Sequence, residues 1–206
     1  MHVELIRALV RDVLKNPHKR EWSLQGMGML RAYLTSEVRL HIWDERFRVP
    51  NVSMIHDHPW DFVSTIVSGT IENIVYELDL DERGDGVAMT HQMGIIVCGP
   101  NPKERGAKHV VPVRLVRSRR SRSYPRLDRT NDVDACTSYR MFAEDIHESN
   151  PSRGAVTLCK RTFKSNTELA HVFWPIGTEW VSAEPRPATK DEVDAITKHA
   201  MEVFES

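Results

Sequence analysis

The stretch of this chain best equipped to do chemistry is His56-Asp57-His58-Pro59-Trp60-Asp61-Phe62, running on to Gly69. Histidines one residue apart on an extended segment point to the same side, because side chains alternate along a strand, so both imidazoles can grip one ion. Phe62 to Ser68 is rich in β-branched residues and stops at a glycine, which predicts one strand from Met54 to Ser68 closed by a tight turn. Two imidazoles hold an ion poorly, so a third donor must come from another segment. Among the ten histidines, His147 has the best setting: Tyr139, Met141 and Ala143 alternate into it, and Gly154 to Leu158 resumes β character. It is expected at the mouth of a strand-turn-strand, its ring aimed inward. His91 and His109, in other β-like runs, are the weaker alternatives, and His171 and His199 read as surface residues. In regular alternation Asp57 and Asp61 face away from the histidines, and Asp61 is expected to orient a ligand from behind. Trp60, Phe62, Tyr76, Tyr139 and Trp174 are expected to wall a pocket, with Glu72 facing the same space.

Something must position these residues. Val3, Leu5, Ile6, Leu9, Val10, Val13 and Leu14 recur at helical spacing and predict a helix over residues 1–16, ending near Asn16-Pro17. From Met29 the period changes to that of strands. Met29 to Leu34 and Val38 to Trp43 read as a hairpin about Thr35-Ser36-Glu37, and β-like runs follow at Ile71 to Leu78, Val87 to Cys98, Val110 to Val116, Thr137 to Phe142 and Ala155 to Phe163. Many short strands with Gly, Pro, Asn and Asp between them predict an antiparallel sandwich or barrel over 29–180. Thr189 and Glu192 form a capping box that opens a helix over 189–205, with Val193, Ile196, Ala200, Val203 and Phe204 as its stripe. Both terminal helices are expected to pack on the sheet, in a single domain of 206 residues.

With 40% hydrophobic residues and a formal charge of -1, the chain can bury a core and has no global pull toward nucleic acid or anionic membrane. Cys98, Cys136 and Cys159 are odd in number and widely spaced, against a disulfide framework and against a thiolate zinc site. No run approaches the roughly 18 apolar residues of a spanning helix, so a soluble, cytoplasmic protein is expected. One local charge run stands out: Arg114, Arg117, Arg119, Arg120, Arg122, Arg126 and Arg129, followed by Asp128, Asp132 and Asp134. It reads as a loop or extended hairpin inserted near 114–134, solvated and dispensable for folding. As a nucleic-acid surface it is disfavoured, because Tyr124 is the only aromatic there and the aspartates cancel charge.

On His56, His58 and Gly69, and on His147 with Asn150, the chain resembles the cupin superfamily. The resemblance implies a double-stranded β-helix, or jelly-roll barrel, with an all-β core, and His56, His58 and His147 as metal ligands. Phe62 stands where the first cupin motif has a glutamate. A three-histidine site lacking that carboxylate resembles the iron thiol dioxygenases such as cysteine dioxygenase. His58-Pro59-Trp60-Asp61-Phe62, Gly154 to Leu158 and Phe173-Trp174-Pro175 to Trp180 also resemble small cupin-like proteins of phages and bacteria. Three neutral imidazoles leave Fe(II) its full charge and open positions, which implies dioxygenase-like chemistry on a small polar substrate. Zn, Mn or Ni also suits such donors, so a non-redox hydrolase or isomerase is the alternative; homo-oligomerisation stays open. A 2-oxoglutarate oxygenase fits worse, since its motif wants a carboxylate where His58 stands.

Overall fold

Leu30, Ala32, Leu40 and Ile42 occupy one phase of a two-residue alternation, and Arg31, Tyr33, Arg39 and His41 the other. Paired as a hairpin, these segments make a sheet with one apolar face, which an amphipathic helix can cover. The computed structural model, which describes residues 3–79, 88–98, 107–124, 137–164 and 168–206, has this arrangement. In chain order the elements are α1 (Val3–Lys15), β1 (Trp22–Gln25), β2 (Met27–Tyr33), β3 (Val38–Arg48), β4 (Ile55–His56), β5 (Trp60–Ser68), β6 (Ile71–Leu78) and β7 (His91–Val97). They continue as β8 (Lys108–Val113), β9 (Leu115–Arg117), β10 (Arg122–Tyr124), β11 (Ser138–Met141), β12 (Ile146–Pro151), β13 (Val156–Lys164), β14 (Leu169–Pro175), β15 (Arg186–Pro187) and α2 (Lys190–Glu205).

One sheet has the order β11-β5-β13-β3-β2-β1-β15 and the other β10-β6-β12-β4-β14-β7-β8, with β9 added to β6. Together they form a nearly closed antiparallel barrel of jelly-roll type, with the terminal helices packed outside the first sheet. The main apolar core therefore lies outside the barrel. There Ile6, Val10, Val13 and Leu14 of α1 and Val193, Ile196, Ala200 and Phe204 of α2 meet Leu30, Leu40, Ile42, Val156 and Leu158. This leaves the opposite face of the same strands to line the interior.

Two glycines make the crossings between sheets. Gly69 joins β5 to β6 at φ +75°, where a Cβ would lie 2.7 Å from the Ala155 Cα, so a glycine is required both by conformation and by space. Gly154, at φ +77°, lies in the neighbouring crossing from β12 to β13. The two crossings are tied together where Thr70 and Ser152 exchange hydrogen bonds.

Several expectations are corrected. Met54 to Ser68 is not one strand: β4 and β5 belong to different sheets, split at Asp57-His58-Pro59, where proline cannot donate to a ladder. Leu169–Pro175 and Trp22–Gln25 are strands that periodicity did not single out. The buried stripe of α1 is narrower than expected, because Leu5 and Leu9 are exposed. The first half of the arginine run is part of the fold and not a solvated loop. Leu115–Arg117 and Arg122–Tyr124 both pair with β6, and Arg114, Arg117 and Arg120 form ion pairs with Asp79, Glu72 and Asp145. Arg126, Arg129, Asp128, Asp132, Asp134 and Cys136 lie outside the described residues. Among the described residues, no helix is long and apolar enough to cross a membrane.

Candidate metal centre

β4 is only two residues long, yet it is the hinge of the site. His56 pairs with His147 of β12 on one side and with Val172 of β14 on the other. His58 follows in the linker that crosses to the opposite sheet, and its carbonyl accepts a hydrogen bond from the Glu144 N–H. The three rings converge: centroids are 4.7 Å apart for His56 and His58, 4.8 Å for His56 and His147, and 5.2 Å for His58 and His147. One ligating atom from each lies within 4.8 Å of the others. His147 is the second residue of β12, just past the turn at 142–145 that joins β11 to β12, so it stands at the mouth of a strand-turn-strand, and it meets His56 as a cross-strand neighbour.

The donor chemistry fits a metal. The Nδ1 of His56 donates to the Met54 carbonyl at 2.9 Å and the Nδ1 of His147 to the Asp145 carbonyl at 2.8 Å, which leaves each Nε2 with its lone pair. His58 is stacked on Trp60, with centroids 5.2 Å apart. Burial holds all three imidazoles in the neutral form that metals require: it pushes the pKa of His147 down to about 3, that of His58 well below its ordinary value, and that of His56 down in spite of the Met54 hydrogen bond. Among the described residues, no carboxylate joins the cluster.

A turn orients His147. Asp61 accepts from the Ala143 N–H at 2.8 Å and from Arg140 at 2.7 Å, and Asp145 accepts from Phe142 N–H at 2.9 Å and from Arg120 at 2.6 Å. The Asp145 carbonyl then holds His147. Asp61 therefore touches no imidazole; it fixes the turn that does. Asp57 takes a different partner, accepting from the His171 N–H at 2.6 Å and lying 2.6 Å from its Nδ1. His171, expected as a free surface residue, clamps the segment between His56 and His58 to β14.

The cluster opens on a cavity of about 660 Å³ between the sheets, whose walls include Trp60, Phe62 and Tyr139. The other expected wall residues are elsewhere. Glu72 is on the face of its sheet opposite His147, because His147 pairs with Val75 and alternation turns Glu72 outward, where it meets Arg117. Tyr76 shares that outward phase and bonds Glu148. Trp174 is buried against Trp180, and it is Trp180 that lines the cavity. His91 bonds Thr90, and His109 is exposed on β8; neither joins the cluster. His199 lies on α2 beside Glu202.

Arg31, Arg39, His41 and Arg161 also line the cavity, and the sequence reading missed them. Burial, Arg39 and Arg31 together depress the pKa of His41 to about 3. The signal was present in the alternation of Arg31, Arg39 and His41 with Leu30, Ala32, Leu40 and Ile42. Once a helix covers the apolar phase, the polar phase faces inward. No protein-family model and no curated protein matches the sequence.

Proposed function

We propose that this chain is a metal-binding cupin that uses His56, His58 and His147 to hold Fe(II) and acts as a dioxygenase on a small polar substrate. The convergence of three neutral imidazoles inside a jelly-roll barrel, with no carboxylate among the donors that the described residues offer, supports this reading. When bound, iron supplies the redox chemistry and the open positions at which O2 and substrate meet. The chain's own residues do the rest. The Met54 and Asp145 carbonyls fix which ring nitrogen faces the ion. Trp60, Phe62 and Tyr139 bound a space large enough for a small molecule and limit the water in it. Metal content of protein purified without added metal separates iron from zinc, manganese or nickel, which would favour the hydrolase or isomerase reading. Iron-loaded protein should then consume O2 with a small chelating substrate, cysteine and related thiols being the first tried. No uptake beyond that of a His58→Ala variant with any such substrate would count against the dioxygenase reading.

A further inference from the structure

The cavity that holds the histidines also holds a group of three guanidiniums. Arg31 on β2, Arg39 on β3 and Arg161 on β13 all line it. Arg39 is 8% exposed, and among the described residues neither it nor Arg31 has an ion-pair partner. The Nε atoms of both, and the Nε2 of His41 next to them, are buried without a hydrogen-bond partner. Arg161 donates one N–H to the Ser36 carbonyl at 2.9 Å. The carboxylates on the cavity wall are Asp57, Glu168 and Glu184, and Asp57 is engaged by His171.

A buried guanidinium that has no anion is costly, and a folded protein rarely keeps one without a use for it. Here the arginines are held by aromatic faces and not by charge. Arg39 Cζ is 4.9 Å from the Tyr33 ring and 5.5 Å from Trp60, Arg31 Cζ is 5.5 Å from Tyr33, and Arg161 Cζ is 5.6 Å from Trp60. A guanidinium over an aromatic face is held by attraction to the ring, which uses none of its N–H donors. Trp60 also stacks on His58, so the arginines and the histidine cluster share one wall residue. Burial lowers the pKa of Arg39, and the like charges of Arg31 and Arg161 lower it further, so these cations feel one another across the cavity.

We propose that this cavity binds a compact dianion, a phosphate monoester or a dicarboxylate, with the charged group on Arg39 and Arg31 and the rest of the molecule directed toward His56, His58 and His147. Two neighbouring guanidiniums match two negative charges and can present parallel N–H pairs to them. The direction toward the histidines rests on the metal-site reading; the anion site itself does not.

The experiment uses the full chain freed of metal and measures thermal stability and titration calorimetry at constant ionic strength with inorganic phosphate, malonate and acetate. Phosphate or malonate is expected to raise the melting temperature saturably, with acetate at least about tenfold weaker, as expected when one of two charge-assisted contacts is lost. Phosphate alone would point to an ester, malonate alone to a dicarboxylate. Arg39→Met should lose the response while melting at or above the wild-type temperature in anion-free buffer, because an unpaired buried cation has been removed. Arg31→Met is the second variant, and Arg20→Met, on the exposed surface, should keep the response. No response in wild type, equal response to acetate, or an unchanged response in both cavity variants would overturn the proposal. Bound metal is measured in parallel: a wild type that binds phosphate through Arg39 but holds no metal would keep the anion site and remove the metal reading.

Discussion

Asp61 offers a graded test of how the turn beside the cluster is held. Its side chain is 11% exposed and accepts both from the Ala143 N–H and from Arg140, itself 53% exposed. Asp61→Ala leaves a half-buried N–H without a partner, at about 1–2 kcal/mol, and removes an outer ion pair worth less than about 1 kcal/mol. The sum, about 2 kcal/mol, corresponds to a fall of about 4–8 °C in melting temperature for a chain of this size. Asp61→Asn keeps an oxygen for Ala143 and loses only the charge, so it should fall by less than half as much. Because these bonds depress the Asp61 pKa, with Ala143 first and Arg140 next, the charge contributes stability above the ordinary carboxylate pKa and ceases to do so as pH falls through the depressed value. The gap between wild type and Asp61→Asn should therefore be full at pH 7 and shrink toward pH 3. Since Asp145 of the same turn orients His147, Asp61→Ala should also weaken zinc binding, measured against a chelating dye, by about tenfold. If Asp61→Ala melts with wild type, or Asp61→Asn is as damaging as Asp61→Ala, the turn is held by something other than these bonds.

Two further outcomes follow from burial. The unfolded chain takes up protons near pH 6.5 while His41 resists them to about pH 3, so folding stability should fall between those values by about 1.4 kcal/mol per pH unit from this one group, and the melting-temperature slope should be shallower in His41→Asn; equal slopes would contradict its burial as a neutral ring. Phe204 is fully buried under the Arg7 guanidinium, and Phe204→Ala should remove about 3–5 kcal/mol of stability in calorimetry; an unchanged melting curve would mean that α2 does not pack on the sheet.

Much of this architecture could be read from the chain. The capping box at Thr189 and Glu192 forms as expected, with both hydrogen bonds made, because it depends only on residues three apart. The hairpin about Thr35 to Glu37 and the turn at Gly69 are local in the same sense. What failed to be read depends on which face meets what. His56 and His58 come together, but through a strand end and a proline-bearing crossing, not along one strand face. His147 reaches them by pairing with His56, a register that no local pattern encodes. Glu72 and Tyr76 were assigned inward when the phase of β6 that faces His147 belongs to Val75. The inward arginines were passed over because polar alternation usually means solvent. Here it means a cavity, since the helices cover the apolar side.

The central claim, a metal held by three histidines, is tested most directly by metal stoichiometry. Wild type and the His56→Ala, His58→Ala and His147→Ala variants would be reconstituted anaerobically with Fe(II), desalted and assayed for iron per chain by mass spectrometry. Wild type should carry close to one ion per chain and each variant much less, while all four keep their melting cooperativity, since the main core lies outside the barrel. A His147→Ala variant that retains stoichiometric iron, or a wild type that takes up neither Fe(II) nor Zn(II), Mn(II) or Ni(II), would contradict it.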